Sequence, residues 1–366
     1  MAGNTRGRMF RITTWGESHG PSVGAVVDGC PAGLSLTPAD LQAELDRRRP
    51  GQSDLSSSRR ETDKVKILSG VFEGETLGTP IGLEIKNRDA RPSEYEDRKD
   101  VYRPSHADYT YEAKYGRRNW MGGGRASARE TAARVAAGAI ARKWLIKNHE
   151  LEIVAWVKAV GEIELDNFEI DQVTRQKVES NEVRCPDPEL AQRMRKAIET
   201  CRDEGNSLGG ELQFVVRNVP AGWGEPVFDK LEAELGKALL SIPAVKGVQF
   251  GSGFAGARST ASRQNDEFKI ENGKVRTRTN NSGGVQGGIS NGMPLYGSLA
   301  FKPVPTISQP QETVNAAGEQ VTLEADGRHD PCVLPRAVPV VESELASVLM
   351  DLALRQRAQK NIPTNK

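Results

Sequence analysis

The sequence predicts an α+β protein in which antiparallel strands and separate amphipathic helices share one chain. Two observations carry that prediction. In the N-terminal half, short runs of alternating apolar residues are broken by glycine turns, as at residues 8–14 and 23–27. Elsewhere, above all after Ser127 and after Pro339, apolar residues recur at the period of a helix instead.

Taken in order, the first strand at 8–14 breaks at Gly16-Glu17-Ser18-His19-Gly20. Val23, Ala25 and Val27 resume the alternation up to Asp28-Gly29, a hairpin-type turn signal. His19 therefore sits on a glycine-flanked loop between strands, where functional groups often project; the bland reading is a surface loop histidine. Thr37-Pro38 starts a helix through Leu41 and Leu45 that ends in Arg47-Arg48-Arg49-Pro50-Gly51. Cations suit a helix C-terminus, yet three arginines exceed what its dipole requires. Residues 65–71 and 78–85 read as a strand pair. Residues 86–118 form a long loop with room for one short helix, carrying Tyr102, Tyr109, Tyr111 and Tyr115 and also His106.

The stretch 116–146 organises the rest. Gly122, Gly123 and Gly124 permit close backbone approach, and Ser127 three residues before Glu130 has capping-box spacing. Ala132, Val135, Ala136, Ala139 and Ile140 then mark a helix of small residues suited to close packing. A glycine turn feeding a helix N-terminus beside Arg117, Arg118 and Arg125 is either an anion site or a tight turn before a buried helix. It matches neither GxGxxG nor GxxxxGK[ST], which excludes dinucleotide-fold and P-loop readings. Strands at 153–160, 211–219, 245–254 and 295–301 and helices at 188–204 and 229–240 follow. A second glycine-rich segment, 280–292, reads as another anion cradle or a flexible loop. The final helix is expected at about 339–356, with Val340, Val341, Leu345, Val348, Leu349 and Leu352 on its buried face.

With 366 residues, 27% charged and net charge +1, the composition excludes a disordered or membrane-embedded chain. The opening residues MAGNTRGRMFRITTW lack the apolar core of a signal peptide, and Cys30, Cys185, Cys201 and Cys332 lie far apart without a CxxC pair. A reducing, cytoplasmic location is expected, with neither disulfides nor a metal site. Ten Lys/Arg against four Asp/Glu in residues 101–150 place a basic block among the glycines, pointing to an anionic ligand. In residues 161–205 seven face twelve, which reads as a solvated acidic surface. Fixed cations with loop histidines His19, His106 and His329 and with Asp330 imply phosphate chemistry on a small, multiply anionic substrate. Residue logic leaves open whether phosphate is transferred, hydrolysed or eliminated.

At this point the residues carry a resemblance. Gly16-Glu17-Ser18-His19-Gly20 with Asp28-Gly29, the segment 122–140, and Arg328-His329-Asp330-Pro331-Cys332 resemble the three motifs of the chorismate synthase family. RRRPGQS, SHADYTY, AVKGVQFGSGF and KPVPT lie between them in order, so the similarity covers nearly the whole chain.

The resemblance implies a single domain over 1–366 with central helices sandwiched between antiparallel sheets, assembled as a homotetramer. It implies anti-1,4-elimination of phosphate from 5-enolpyruvylshikimate 3-phosphate to give chorismate, without nucleic acid or membrane partners. Reduced FMN is the implied cofactor, lending an electron transiently, and NADPH is a candidate reductant. By the same analogy His19 protonates the departing phosphate, His106 sits at the flavin, and Asp330 assists removal of the ring proton. Arg48, Arg129 and Arg328 would bind substrate. Arg125, Ala126, Ser127, Ala244, Gly287, Lys302, Pro303, Val304, Pro305, Thr306 and Arg328 would hold the flavin. Two positions depart from the family pattern: Asp54 stands where arginine is frequent, with Arg59 or Arg60 as replacement, and Pro243 where asparagine is common. The rival readings are a flavin-independent phosphatase or phosphotransferase and a Gly/Arg-rich RNA-binding protein; near-zero net charge counts against the latter.

Overall fold

Alternating residues near the start of the chain pair edge to edge. β1 (Thr5–Arg6), β2 (Arg11–Gly16) and β3 (Ser22–Asp28) form antiparallel neighbours, and α1 (Pro38–Arg48) leads on to β4 (Val65–Ile67). A ribbon of β5 (Val71–Phe72) and β6 (Glu75–Thr76) precedes β7 (Ile81–Lys86), which inserts between β3 and β4. The first sheet thus runs β1-β2-β3-β7-β4, and its alternate residues Ile12, Val23, Ala25, Val27, Ile81, Leu83 and Ile85 are buried. The computed structural model describes residues 3–52, 55–56, 59–166, 169–324 and 330–359.

The long loop holds a 3₁₀ turn, Pro92–Arg98, and α2 (Asp108–Tyr115) before α3 (Thr131–His149). Then come β8 (Glu152–Val160), β9 (Ile163–Glu164), α4 (Arg175–Val178), α5 (Pro188–Asp203), β10 (Gly210–Arg217), α6 (Leu231–Leu240) and β11 (Val245–Phe250). Single turns α7 (Gly253–Gly256) and α8 (Ala261–Gln264) lead to ribbons β12 (Phe268–Glu271) with β13 (Lys274–Thr277) and β14 (Val285–Gln286) with β15 (Ile289–Ser290). β16 (Leu295–Phe301), β17 (Gln311–Val314), β18 (Gln320–Leu323) and α9 (Leu334–Gln359) complete the order. The second sheet is antiparallel throughout, β11-β16-β10-β8-β9.

α3 and α9 lie between the sheets, as the resemblance implies. α3 packs against β2, β3 and β7, while α9 packs against α3 on one side and β8 and β10 on the other. The small residues of α3 allow this: a Cβ at Gly138 would come within 2.4 Å of the Ser343 side chain on α9. α9 also buries acids that tie other elements to it. Glu342 accepts from the Ala155 amide at 3.1 Å and pairs with Arg47 and Arg142. Asp351 accepts from the amides of Arg8, Met9 and Phe10 at 2.6–2.9 Å.

Several local expectations change. Asp28-Gly29 ends β3 but makes no hairpin, because the chain continues to α1; β2 and β3 are joined instead by the 17–21 loop. The capping box at Ser127 is half made: its hydroxyl accepts from the Arg129 amide at 3.3 Å, whereas Glu130 turns to Thr14 and Arg134. α9 begins five residues before Pro339. A proline there cannot donate to the Pro335 carbonyl, and the Arg184 guanidinium takes that acceptor instead. The strand expected to run to residue 254 stops at Phe250, where Gly251 adopts φ +56°. Nor is the acidic 161–205 block wholly solvated, since Glu179 pairs with Arg47 and Arg184.

Candidate active site

Three stretches separated in sequence supply the polar wall of a cavity of about 360 Å³. The 17–21 loop brings Ser18 and His19, the end of α1 brings Arg48, and the segment before α3 brings Ala126, Ser127 and Arg129. Arg59, Tyr95, Arg103, His106, Lys302 and Asp330 complete the charged and aromatic lining.

The triple glycine is what lets these pieces meet. Gly122, Gly123 and Gly124 all have positive φ, +69°, +89° and +52°. A Cβ on Gly122 would lie 2.1 Å from His19 Nδ1, and one on Gly123 would lie 3.0 Å from His106 Cε1. The glycine turn thus passes between the two histidines with no room for a side chain. His19 Nδ1 is 2.7 Å from the Ser18 hydroxyl, and its ring meets Tyr95 edge-on with centroids 5.0 Å apart, which fixes its orientation.

The cavity arginines are pre-aimed by buried carboxylates. Asp63, fully buried, accepts from Arg48 Nη2 at 2.7 Å and also grips Arg129. Arg59 pairs with buried Glu61 at 2.7 Å and donates to the Ser18 carbonyl at 3.1 Å. Burial pulls the Arg48 guanidinium down to about 10, with Asp63 opposing and Arg336 and Arg129 adding to the fall. Burial works against the charge of Asp63, but Arg48 and Arg129 hold its carboxyl down at about 2. Burial also lowers the His106 imidazole below its ordinary value, helped by Arg103 and Lys302 and opposed by Asp108. Lys302 is lowered too, by burial and by Lys246. Its ammonium donates to the Ser105 carbonyl at 3.1 Å, beside His106.

Most sequence-predicted residues converge here: His19, His106, Asp330, Arg48, Arg129, Ala126, Ser127, Ala244, Lys302, Val304, Pro305 and Thr306 all line the cavity. Others do not. Arg125 is turned away, donating to the Gly16 carbonyl at 3.2 Å and the Thr14 hydroxyl at 2.7 Å. Pro303 is not in the lining, and Gly287 sits in the β14–β15 ribbon, also outside it. The second glycine-rich segment, 280–292, lies outside the cavity lining. Its backbone packs tightly, so that a Cβ on Gly283 would lie 2.3 Å from the Gly251 nitrogen. Arg328, His329 and Asp54 lie outside the described residues. Of the two replacements for Asp54, Arg59 lines the cavity and Arg60 does not; Pro243 lines it, and the Ala244 carbonyl accepts from the Lys302 amide at 2.9 Å.

Sequence reasoning missed Asp63, Asp108, Tyr95 and Arg336. Arg336 pairs with Asp330 and donates to the Arg48 carbonyl at 3.2 Å. Asp108 carries a readable signal, two residues after His106; the others carry none. Among the described residues no group of three or more His, Cys, Asp or Glu is placed to hold a metal, and the four cysteines are free and buried.

Comparison with known proteins adds four findings. A family model described as chorismate synthase matches residues 10–354. The chorismate synthase of a Cyanothece species is 58% identical over 362 residues, covering 99% of this chain and 100% of its own length. That of a Synechocystis species is 58% identical over 358 residues, covering 98% and 99%. A solved chorismate synthase structure, 33% identical, superposes with a TM-score of 0.76 over 96% of this chain and 93% of its own.

Proposed function

The chain belongs to the chorismate synthase family, and from that premise we propose that its basic cavity eliminates phosphate from 5-enolpyruvylshikimate 3-phosphate to give chorismate, the last step of the shikimate pathway. It is a carbon–oxygen lyase. The observation that carries this reading is the convergence of Arg48, Arg59, Arg103 and Arg129 with His19 and His106 on one cavity. A substrate bearing one phosphate and two carboxylates requires several fixed cations, and guanidinium forks match both groups.

The residues also fit the family's reduced flavin. Ile242, Pro243, Val304, Pro305, Val333 and Val340 give the cavity an apolar surface for a planar ring system, beside Lys302, Ser127 and Thr306 for its polar groups. Bound there, reduced FMN supplies the transient electron donation that weakens the bond between carbon and the phosphate oxygen. The chain's own side chains do the rest. Arg48 and Arg129, held in place by Asp63, orient the substrate anions. His19 gives a proton to the departing phosphate. His106, held neutral near pH 7 by burial, exchanges a proton on the cofactor side. Asp330, paired with Arg336, assists removal of the ring proton.

The chain is read as one domain, since one hydrophobic cluster runs through both sheets and the helices between them. Exposed Phe228, Phe268, Ile270 and Val275 support association of copies, and a homotetramer in the cytoplasm is the expected state. No helix among the described residues is long and apolar enough to cross a membrane.

The test is anaerobic turnover of 5-enolpyruvylshikimate 3-phosphate, with and without dithionite-reduced FMN, following chorismate absorbance and phosphate together. Both products appearing only with reduced flavin is the expected result, and NADPH in place of dithionite then identifies the reductant. Phosphate without chorismate would overturn the reading in favour of a flavin-independent phosphatase.

A further inference from the structure

His106 stands at the end of a strained approach. Ser105 has φ +56°, and the turn is closed by the His106 amide donating to the Arg103 carbonyl at 3.1 Å. Its ring then meets Asp108, the first residue of α2, whose carboxylate is buried. Asp108 Oδ2 accepts from the Arg103 amide at 3.1 Å and from Arg103 Nε at 2.8 Å. Oδ1 accepts from Arg103 Nη2 at 2.8 Å and lies 3.1 Å from His106 Nδ1. Arg103 Nη2 is also 3.0 Å from Nδ1, and one of its two hydrogens is taken by Oδ1 at 2.8 Å.

Nδ1 thus sits between an acceptor, Asp108 Oδ1, and a donor, the second hydrogen of Arg103 Nη2. Without a proton on Nδ1, its lone pair could accept from Arg103 Nη2 but would also face a lone pair of the anionic Oδ1 at 3.1 Å. With a proton there, Nδ1–H completes the carboxylate's acceptor set, and the other edge of the ring, Cε1 and Nε2, lies against Gly123 at the cavity. We propose that Asp108 is a positioning residue that fixes the proton of neutral His106 on Nδ1 and presents Nε2 to the cavity as a lone pair.

His106 is then set to receive a proton. A new N–H bond forms at Nε2 as the donor's bond breaks, and the resulting imidazolium charge is met by Asp108. The other charges facing this pair are Arg103, Arg118 at 3.5 Å from Oδ1, and Lys302, all cationic. Asp108 therefore supplies the anion in contact with the protonated ring; burial opposes its own charge, but the Arg103 and His106 contacts hold its carboxyl well below the carboxylate range. This inference deepens the reading that His106 exchanges a proton on the cofactor side.

The test uses the full chain labelled with ¹⁵N-histidine, without ligand, His106 being assigned among the four histidines by its loss in His106→Gln. The Nδ1 and Nε2 shifts report the tautomer directly. Neutral wild-type His106 is expected as the Nδ1–H form; an Nε2–H form overturns the proposal with no variant needed. In Asp108→Asn the amide oxygen is drawn to Arg103 and the NH₂ faces Nδ1, so the ring should switch to Nε2–H. Its titration midpoint should fall by about one unit, and kcat by about 10- to 100-fold with KM little changed. An unmoved tautomer in a folded Asp108→Asn also overturns the proposal. A switched tautomer with unaltered turnover sustains it and removes His106 from the reaction.

Discussion

Arg47 and Arg48 are neighbours on the last turn of α1, yet they serve opposite purposes. Arg47 turns into the helical layer, where Glu44, Glu179 and Glu342 all pair with it at 2.5–2.7 Å. Burial works against its charge, but these carboxylates outweigh that cost and raise the guanidinium above its ordinary value. Arg48 turns into the cavity and has Asp63, a partner it must share with Arg129. Burial there is only partly offset, which is why its value falls. The interior cluster is complete as it stands; the cavity keeps a surplus of positive charge that an anionic ligand would complete. Adjacent identical residues are thus structural or functional according to how many carboxylates reach them.

The comparison can be broken from either side. The largest effect belongs to the cavity: His19→Ala should lower kcat on the order of 10²–10⁴-fold while the melting temperature stays near wild type. Normal turnover would remove His19 from the chemistry. On the interior side, Glu342→Gln leaves Arg47 and Arg142 facing a neutral amide and should cost about 3–5 kcal/mol in urea unfolding. Its pH dependence has a definite sign. Burial opposes ionisation of Glu342, but Arg47 and Arg142 hold it at about 2, below its ordinary 4.5. The stability it contributes is therefore present above pH 4.5 and lost as pH falls towards 2, a loss that Glu342→Gln should not show.

Asp63→Asn sharpens the contrast further. It should weaken substrate binding about 10-fold and destabilise the ligand-free protein, with inorganic phosphate restoring part of that stability by mass action. Phosphate should restore nothing to Glu342→Gln, and equal rescue of both would erase the distinction between the two clusters. The smallest effect is expected at the exposed Arg11–Asp28 pair, where Arg11→Ala should change unfolding by no more than about 1 kcal/mol.

What the chain revealed in advance follows the same division. Local periodicity marked β3, α3 and β16 closely and placed β2 and β7 within about three residues, because alternation and the helical repeat are written into neighbouring residues. The colinear motifs brought His19, His106, Arg48 and Arg129 into view together. Pairings across long separations were not legible. Asp63 reaches Arg129 over 66 residues, and a chain with 50 basic and 49 acidic residues offers no local cue to single out that match. Pro339 misled for another reason: it looks like a helix start, and only a guanidinium from residue 184 makes it tolerable inside one.

The position of α9 also has a consequence for how the chain is made. The helix that fills the space between α3 and the second sheet comes after every other element in chain order. During synthesis the first sheet and α3 leave the ribosome well before the partner that covers them. Until α9 emerges, Glu342 and Asp351 are missing from Arg47, Arg142 and the Arg8 to Phe10 amides. Until α9 docks, the nascent chain therefore carries exposed apolar faces, and Arg47 and Arg142 have only the carboxylates of Glu44 and Glu179 beside them.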